Sequence, residues 1–231
     1  MQDLAILVPS CLNYSDAWQP FMKCLEKFWP LRTIPTILVT DFIYKKSTWN
    51  GEYIVVHNRD YGWCENLKRG IDGFKQFRAF LMLQEDFFLS ESPDVEFIKF
   101  AVAKLLEDSN IGCFRLYPCP GSDVEIGEKR YGMVSKKAPY QVSCQAAIWN
   151  PAYMNKLLSL GPGPRDFEVL GTRYCSRTES VKTLAVKRDS PKPYPIEYIC
   201  TAIVSGEWQK SALDHCKNLG IDVDTTMRPT T

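Results

Sequence analysis

Short, uninterrupted apolar runs that stop at turn-forming or acidic residues constrain this chain more than any other feature. Leu4-Ala5-Ile6-Leu7-Val8 halts at Pro9-Ser10, Thr36-Ile37-Leu38-Val39-Thr40 halts at Asp41, and Tyr53-Ile54-Val55-Val56 halts at His57. Runs without polar alternation suit strands covered on both faces, the habit of parallel sheets. Between the first two lies Asp16 to Trp29, in which Trp18, Phe21, Met22, Leu25, Phe28 and Trp29 recur at three- and four-residue spacings. That period predicts an amphipathic helix, with Ser15 or Asp16 able to cap its start and Pro30 to end it. Strand, helix, strand and strand in this order imply crossover connections and an α/β sheet.

The pattern continues along the chain. A second helix is expected from Gly62 or Trp63 to Phe77, leading into Ala79-Phe80-Leu81-Met82-Leu83, the most apolar short strand; Gln84-Glu85-Asp86 follows at once, and apolar residues resume at Phe87-Phe88-Leu89. Then come a helix over Pro93 to Asp108, a strand over Ile111 to Leu116, and a loop or small hairpin between Pro118 and Pro139. Val142 to Trp149, a helix over Pro151 to Leu160, the Gly/Pro-rich Gly161 to Pro164 and a helix starting near Asp166 follow, with a last helix at about Ser211 to Leu219. Residues 1–231 read as a single domain, compatible with being one part of a longer polypeptide, and the tail after about 221 is expected to fray.

Charge and motif content exclude several classes. With 28 basic against 27 acidic side chains the formal charge is +1, which leaves no electrostatic footprint for nucleic acid or an anionic membrane. No apolar run approaches the roughly 20 residues of a membrane span, and the first residues lack the basic region of a signal peptide, so a cytoplasmic protein is expected. Nine scattered cysteines and two histidines predict buried reduced thiols rather than disulfides or zinc. The phosphate loop GxxxxGK[ST] and the GxGxxG, HExxH and GxSxG motifs do not occur. His57 could line a site or be structural.

Three segments carry candidate chemistry. Glu85 and Asp86 stand at the C-terminal end of a central strand, where open α/β sheets place ligands. Two adjacent acids there are either a solvated junction or oxygen ligands for a divalent cation that neutralises a diphosphate. Their apolar flanks argue for enclosure, and enclosed carboxylates need a cation, a hydrogen-bond donor or a raised pKa. Asp166 and Glu168 follow the flexible Gly161 to Pro164; Asp166 can simply cap a helix, whereas Glu168 can face a cleft as a general base. Gln145-Ala146-Ala147-Ile148-Trp149 offers an amide and an indole to a sugar, although Trp149 fits a core equally well.

Taken together, Val8-Pro9-Ser10, Thr40-Asp41, Trp63-Cys64-Glu65-Asn66-Leu67, Leu83-Gln84-Glu85-Asp86-Phe87-Phe88, Gln145 to Trp149, Asp166 to Thr172 and Gly206-Glu207-Trp208 resemble a nucleotide-sugar-dependent glycosyltransferase with the GT-A fold, family-2-like, of the type found in bacterial and large-virus polysaccharide synthesis. The resemblance spans nearly the whole chain. It implies a Rossmann-like α/β architecture, a mixed, mostly parallel sheet flanked by helices. It places Pro9, Ser10 and Asp41 around the base and ribose and Asn66 near the nucleotide-sugar. Gln84-Glu85-Asp86 occupies the position of the family's DxD motif, with Gln84 where an aspartate is usual; Asp86 becomes the ligand of Mn2+ or Mg2+, and Glu85 lies near the donor sugar. Glu168, with Asp166 beside it, matches the catalytic base of inverting members, Gln145 and Trp149 fall on the acceptor or sugar side, and Arg165 stands where a tryptophan is common. The implied activity is transfer of a sugar from a UDP-hexose or similar donor to a glycan hydroxyl, inverting if Glu168 is the base and open to retention if it only binds the acceptor. Two rivals remain. Sugar-1-phosphate nucleotidylyltransferases carry a Gly-rich loop with Arg and Lys after the first strand, absent from Ser10 to Asp16; a catalytically weak carbohydrate or nucleotide-sugar-binding module is suggested by Gln84.

Overall fold

The computed structural model of the chain describes residues 2–41, 53–57, 59–178, 181–199 and 201–231, with 53–57 described by backbone alone. The side chain of His57 therefore lies outside the described residues. The elements are β1 (Leu4–Pro9), α1 (Ser15–Phe28), β2 (Thr36–Thr40), β3 (Tyr53–His57), α2 (Trp63–Gly73), β4 (Ala79–Met82), β5 (Phe88–Leu89), α3 (Val95–Glu107), β6 (Ile111–Arg115), β7 (Tyr131–Met133), β8 (Ala147–Trp149), α4 (Pro151–Leu158), α5 (Pro164–Arg177), β9 (Lys182–Val186), β10 (Tyr198–Ile199), β11 (Ile203–Val204), β12 (Glu207–Trp208) and α6 (Lys210–Asn218). A single 3-10 turn, Leu12–Tyr14, joins β1 to α1.

The described strands build one eight-stranded sheet in the order β3-β2-β1-β4-β8-β6-β9-β7 and two small two-stranded sheets, β10-β5 and β11-β12. β1 lies parallel between β2 and β4, and β6 lies parallel to β9. β8 runs antiparallel between β4 and β6, and β7 runs antiparallel on β9. This mixed, mostly parallel α/β sheet flanked by helices is the GT-A-type architecture.

The uninterrupted apolar runs are explained by the two faces of the sheet. Leu4, Ile6 and Val8 of β1 enter one cluster with Phe21 and Leu25 of α1, Ile98 and Ala101 of α3 and Cys216 of α6. Their neighbours Ala5 and Leu7 enter the opposite cluster with Leu67 of α2, Met154 and Leu157 of α4 and Phe167 of α5. Alternate side chains point to opposite faces of a strand, and here both faces are covered.

The structure departs from expectation at several places, among them the end of α2, at Gly73 rather than Phe77. Only Ala147–Trp149 of the segment Val142 to Trp149 is a strand, because Ala147 is the last residue in register with Met82 and Arg115, and residues 142–146 leave the sheet. β9, a full member of the sheet, went unnoticed in the sequence. α5 begins at Pro164, a residue suited to a helix's first turn and two residues before Asp166, in agreement with a start near Asp166. The tail does not fray: the Trp208 N–H donates to the Pro229 carbonyl at 2.9 Å, the Thr231 N–H donates to the Trp208 carbonyl at 3.0 Å, and Trp208 and Thr230 form a parallel bridge. Within Pro118 to Pro139, β7 and the bridge Val124 to Met133 make a small antiparallel element, the hairpin of the two alternatives. Among the described residues no helix is long and apolar enough to cross a membrane.

Candidate functional site

A cleft of about 500 Å³ opens beyond the C-terminal ends of β1 and β4. Position follows from topology: parallel strands deliver Ser10 after β1 and Gln84 to Asp86 after β4 to the same edge of the sheet. Pro9 closes β1 opposite Val39, and the Ser10 amide donates to the Val39 carbonyl at 2.8 Å, so the turn that follows is anchored to β2.

The Ser10 hydroxyl is fully committed. It accepts the Trp18 indole N–H at 2.7 Å and donates to Glu85 Oε1 at 3.1 Å. Trp18, one turn into α1, thereby fixes the Glu85 carboxylate through Ser10. Glu85 and Asp86 are 7% and 8% exposed, and neither forms an ion pair among the described residues. Burial, reinforced by the neighbouring Asp86 charge, pushes Glu85 up to about 8; burial lifts Asp86 to about 6 although its carboxylate accepts the Ile203 amide.

Gln84, next to the two acids, is linked to Glu168 of α5 through the backbone of one residue, Cys144. The Cys144 amide donates to Glu168 Oε1 at 2.8 Å, and the Cys144 carbonyl accepts the Gln84 side-chain amide at 3.4 Å. The loop bearing Cys144 is clipped to α5 again where the Val142 amide donates to the Thr172 hydroxyl at 3.1 Å, one helical turn after Glu168. Gln145 is held by the Tyr198 hydroxyl, which donates to its Oε1; Tyr198 itself stacks on Phe87 with ring centroids 4.4 Å apart. Gln145 lines the cleft with its side-chain oxygen engaged in this way. Arg165, one turn before Glu168, lines the same cleft.

Six of the sequence-derived residues thus share the cleft: Ser10, Gln84, Glu85, Asp86, Gln145 and Glu168. Pro9 supports it from beneath. Asp41 flanks it, its Oδ1 accepting the Leu12 amide at 2.7 Å and the Thr40 hydroxyl at 3.1 Å, which ties the end of β2 to the turn after β1. Three expectations are corrected. Trp149 is 1% exposed and packs against Phe167 and Tyr153, with ring centroids 5.4 and 6.4 Å away, so no ligand reaches it. Asp166 turns away from the cleft: its Oδ2 accepts the Gly163 amide at 3.2 Å, and its Cβ crowds Gly161, where an added Cβ would come within 2.4 Å. It is a helix cap. Asn66 is 4% exposed and accepts the Tyr61 amide at 3.2 Å, shaping the turn into α2, and it does not line the cleft.

Residues that sequence reasoning did not assign to the site include Tyr14, Cys144, Thr201 and Ile203. Thr201 holds φ at +58°, a conformation that a β-branched residue rarely adopts. Nothing in the sequence marks it. Cys144 had a usable signal, since it directly precedes Gln145.

A divalent cation, implied by the fold family, fits this donor set in one specific way. Glu85 and Asp86 supply hard oxygen ligands that form no ion pair among the described residues, and among those residues no group of three His, Cys, Asp or Glu side chains converges on a point. One or two carboxylates with the remaining ligands taken from phosphate and water is the usual mode of magnesium at nucleotide sites.

Comparison with known proteins returns folds only. No protein-family model matches the chain, and no curated protein sequence matches it. Among solved structures, S. aureus TarS superposes with a TM-score of 0.52 at 13% identity, over 86% of this chain and 37% of that one. TarS 1-349 in complex with UDP gives 0.51 at 13% identity, over 86% and 61%. A cytidylyltransferase from Leptospira borgpetersenii serovar Hardjo-bovis gives 0.48 at 11% identity, over 79% and 75%. The chain therefore spans less than two thirds of the TarS chains it resembles, 37% of one and 61% of the other.

Proposed function

We propose that the chain is a nucleotide-sugar-dependent glycosyltransferase that moves a hexose or pentose from a nucleoside diphosphate, UDP foremost, to a glycan hydroxyl with inversion at the anomeric carbon. The observation that carries this reading is the presence of two acidic centres in one cleft, Glu85 with Asp86 after β4 and Glu168 on α5, connected through Cys144. The fold adds support, since TarS, which shares it, is described in complex with UDP.

The chemistry asks for two acids with different duties. Asp86, with Glu85 beside it, would hold Mn2+ or Mg2+ against the diphosphate. Bound there, the cation supplies positive charge where negative charge develops on the leaving oxygen. Glu168 takes the proton of the acceptor hydroxyl; its single backbone donor orients the carboxylate and leaves lone pairs for that proton. Gln145 presents its amide N–H groups to a sugar hydroxyl. Gln84, bonded to the Cys144 carbonyl, replaces a charge by a brace between the two acidic centres. That neutral brace also favours a second reading, a nucleotide-sugar-binding module with little turnover, which product formation from a radiolabelled donor distinguishes.

The test is a panel of nucleotide-sugars measured by thermal shift with manganese and with chelator. A UDP-sugar at about 100 times its dissociation constant should add about 2.7 kcal/mol of stability, and only when the cation is present. Equal stabilisation in chelator removes the cation from the proposal, and no stabilisation by any member of the panel removes the donor.

A further inference from the structure

The last ten residues fold back against the turn that bears Tyr14, a cleft residue, on one side and against Trp208 on the other. Arg228 forms a bidentate pair with Asp16 at the start of α1, Nε to Oδ2 at 2.7 Å and a terminal nitrogen to Oδ1 at 2.8 Å, with the side chains 7% and 0% exposed. The same terminal nitrogen donates to the Asn13 carbonyl, and the guanidinium lies 4.6 Å from the centre of the Tyr14 ring. Tyr14 lines the cleft. On the other side, the Pro229 and Thr231 backbone brackets Trp208, and the guanidinium lies 5.9 Å from the Trp208 ring. Trp208 pairs with Ile203 in the β11-β12 hairpin, whose turn residues Ser205 and Gly206 both hold positive φ, the geometry of a tight two-residue hairpin. At the far end of this chain of contacts the Ala202 amide donates to the Asp86 carbonyl at 2.9 Å and the Ile203 amide donates to the Asp86 carboxylate.

A buried bidentate pair is costly to desolvate and adds little net stability over an apolar replacement, so its place here calls for a reason beyond stability. Both ends of the contact chain finish on cleft residues, Tyr14 and Asp86. We propose that Arg228 is a positioning residue of the donor cleft, acting through Asp16 and Tyr14 on one wall and through β12 and β11 on the Asp86 carboxylate, so that the folded-back tail sets the geometry that receives a nucleoside diphosphate. The donor part of this inference rests on the proposed function; the coupling of Arg228 to Asp86 does not. Lysine cannot replace the fork that engages two carboxylate oxygens and a carbonyl together.

The experiment compares the wild-type protein, Arg228→Lys and Arg228→Met by two readouts: titration with UDP in the presence of manganese chloride, and amide hydrogen exchange without ligand. In Arg228→Lys, which keeps charge and stem, UDP affinity should fall at least tenfold and exchange should accelerate at Ala202 and Ile203 while β1 and β4 stay protected. Arg228→Met should show the same pattern more strongly; should it fail to fold, Arg228→Lys decides. Wild-type affinity together with wild-type protection at Ala202 and Ile203 in a folded variant overturns the proposal. So does acceleration spread evenly over β1 and β4, which marks a merely structural role. If the wild-type protein binds no UDP, faster exchange confined to Ala202 and Ile203 upholds the coupling while the donor reading falls, and unchanged exchange there overturns the coupling.

Discussion

The burial of Glu85 makes the stability of the cation-free protein depend on pH in a direction opposite to that of most carboxylates. Its pKa is raised from 4.5 to about 8, first by burial and then by the charge of Asp86. A carboxyl whose folded pKa lies above its unfolded value favours the fold while protonated. The contribution is complete below pH 4.5 and is lost as pH rises through about 8. Asp86 acts with the same sign over a lower window, from 3.8 to about 6. At about 1.4 kcal/mol per pH unit, the displacement of Glu85 alone corresponds to a loss on the order of 5 kcal/mol across its window, a large share of a typical domain's stability. Glu85→Gln keeps the shape and an oxygen for the Ser10 hydroxyl while removing the titration. The assay is urea denaturation in chelator at several values between about pH 5.5 and 8.5, with linear extrapolation. The wild-type curve should fall with pH relative to the variant, and manganese at the alkaline end should restore much of the difference by pairing with the ionised acids. Parallel curves for the two proteins would refute the reasoning, because the subtraction cancels the titrating groups that do not interact with Glu85.

Asp166→Ala should cost about 1 kcal/mol of stability through loss of the α5 cap and leave turnover intact; Glu168→Gln should leave UDP binding unchanged and lower the turnover number by roughly 10²–10⁴-fold. The opposite pattern would move the base to Asp166, and a product of retained anomeric configuration would reject inversion. Trp149→Ala should cost about 3–5 kcal/mol in denaturant unfolding, as for a buried aromatic, yet leave the UDP affinity of the folded fraction at the wild-type value; an affinity loss at matched folded fraction would return Trp149 to the site.

The elements legible in the sequence are those whose burial is complete. Leu4 to Pro9, Ile37 to Val39 and Ala79 to Met82 are apolar throughout because both sheet faces are covered, and the first and last of these runs end close to the polar residues Ser10 and Gln84 that line the cleft. β9 has no local signal because Lys182-Thr183-Leu184-Ala185-Val186 begins exposed and gains its place by pairing with β6, 70 or 71 residues earlier in the chain at every register position, and with β7. Glu85, Asp86 and Glu168 could be singled out because acids beside apolar runs or after a Gly/Pro hinge are locally conspicuous.

What the sequence alone determined was the α/β layering and the residue types delivered to one sheet edge, since period and run length depend only on neighbouring residues. Which acid faces the cleft and which caps a helix was decided by a rotation of two residues around α5, and which tryptophan is core by its packing against Phe167. That Arg228 closes on Asp16, 212 positions away, is invisible locally. Both ends of that pair look like ordinary surface charges in the chain, and only the folded path of residues 222–231 brings them together, buries them and sets them beside the cleft.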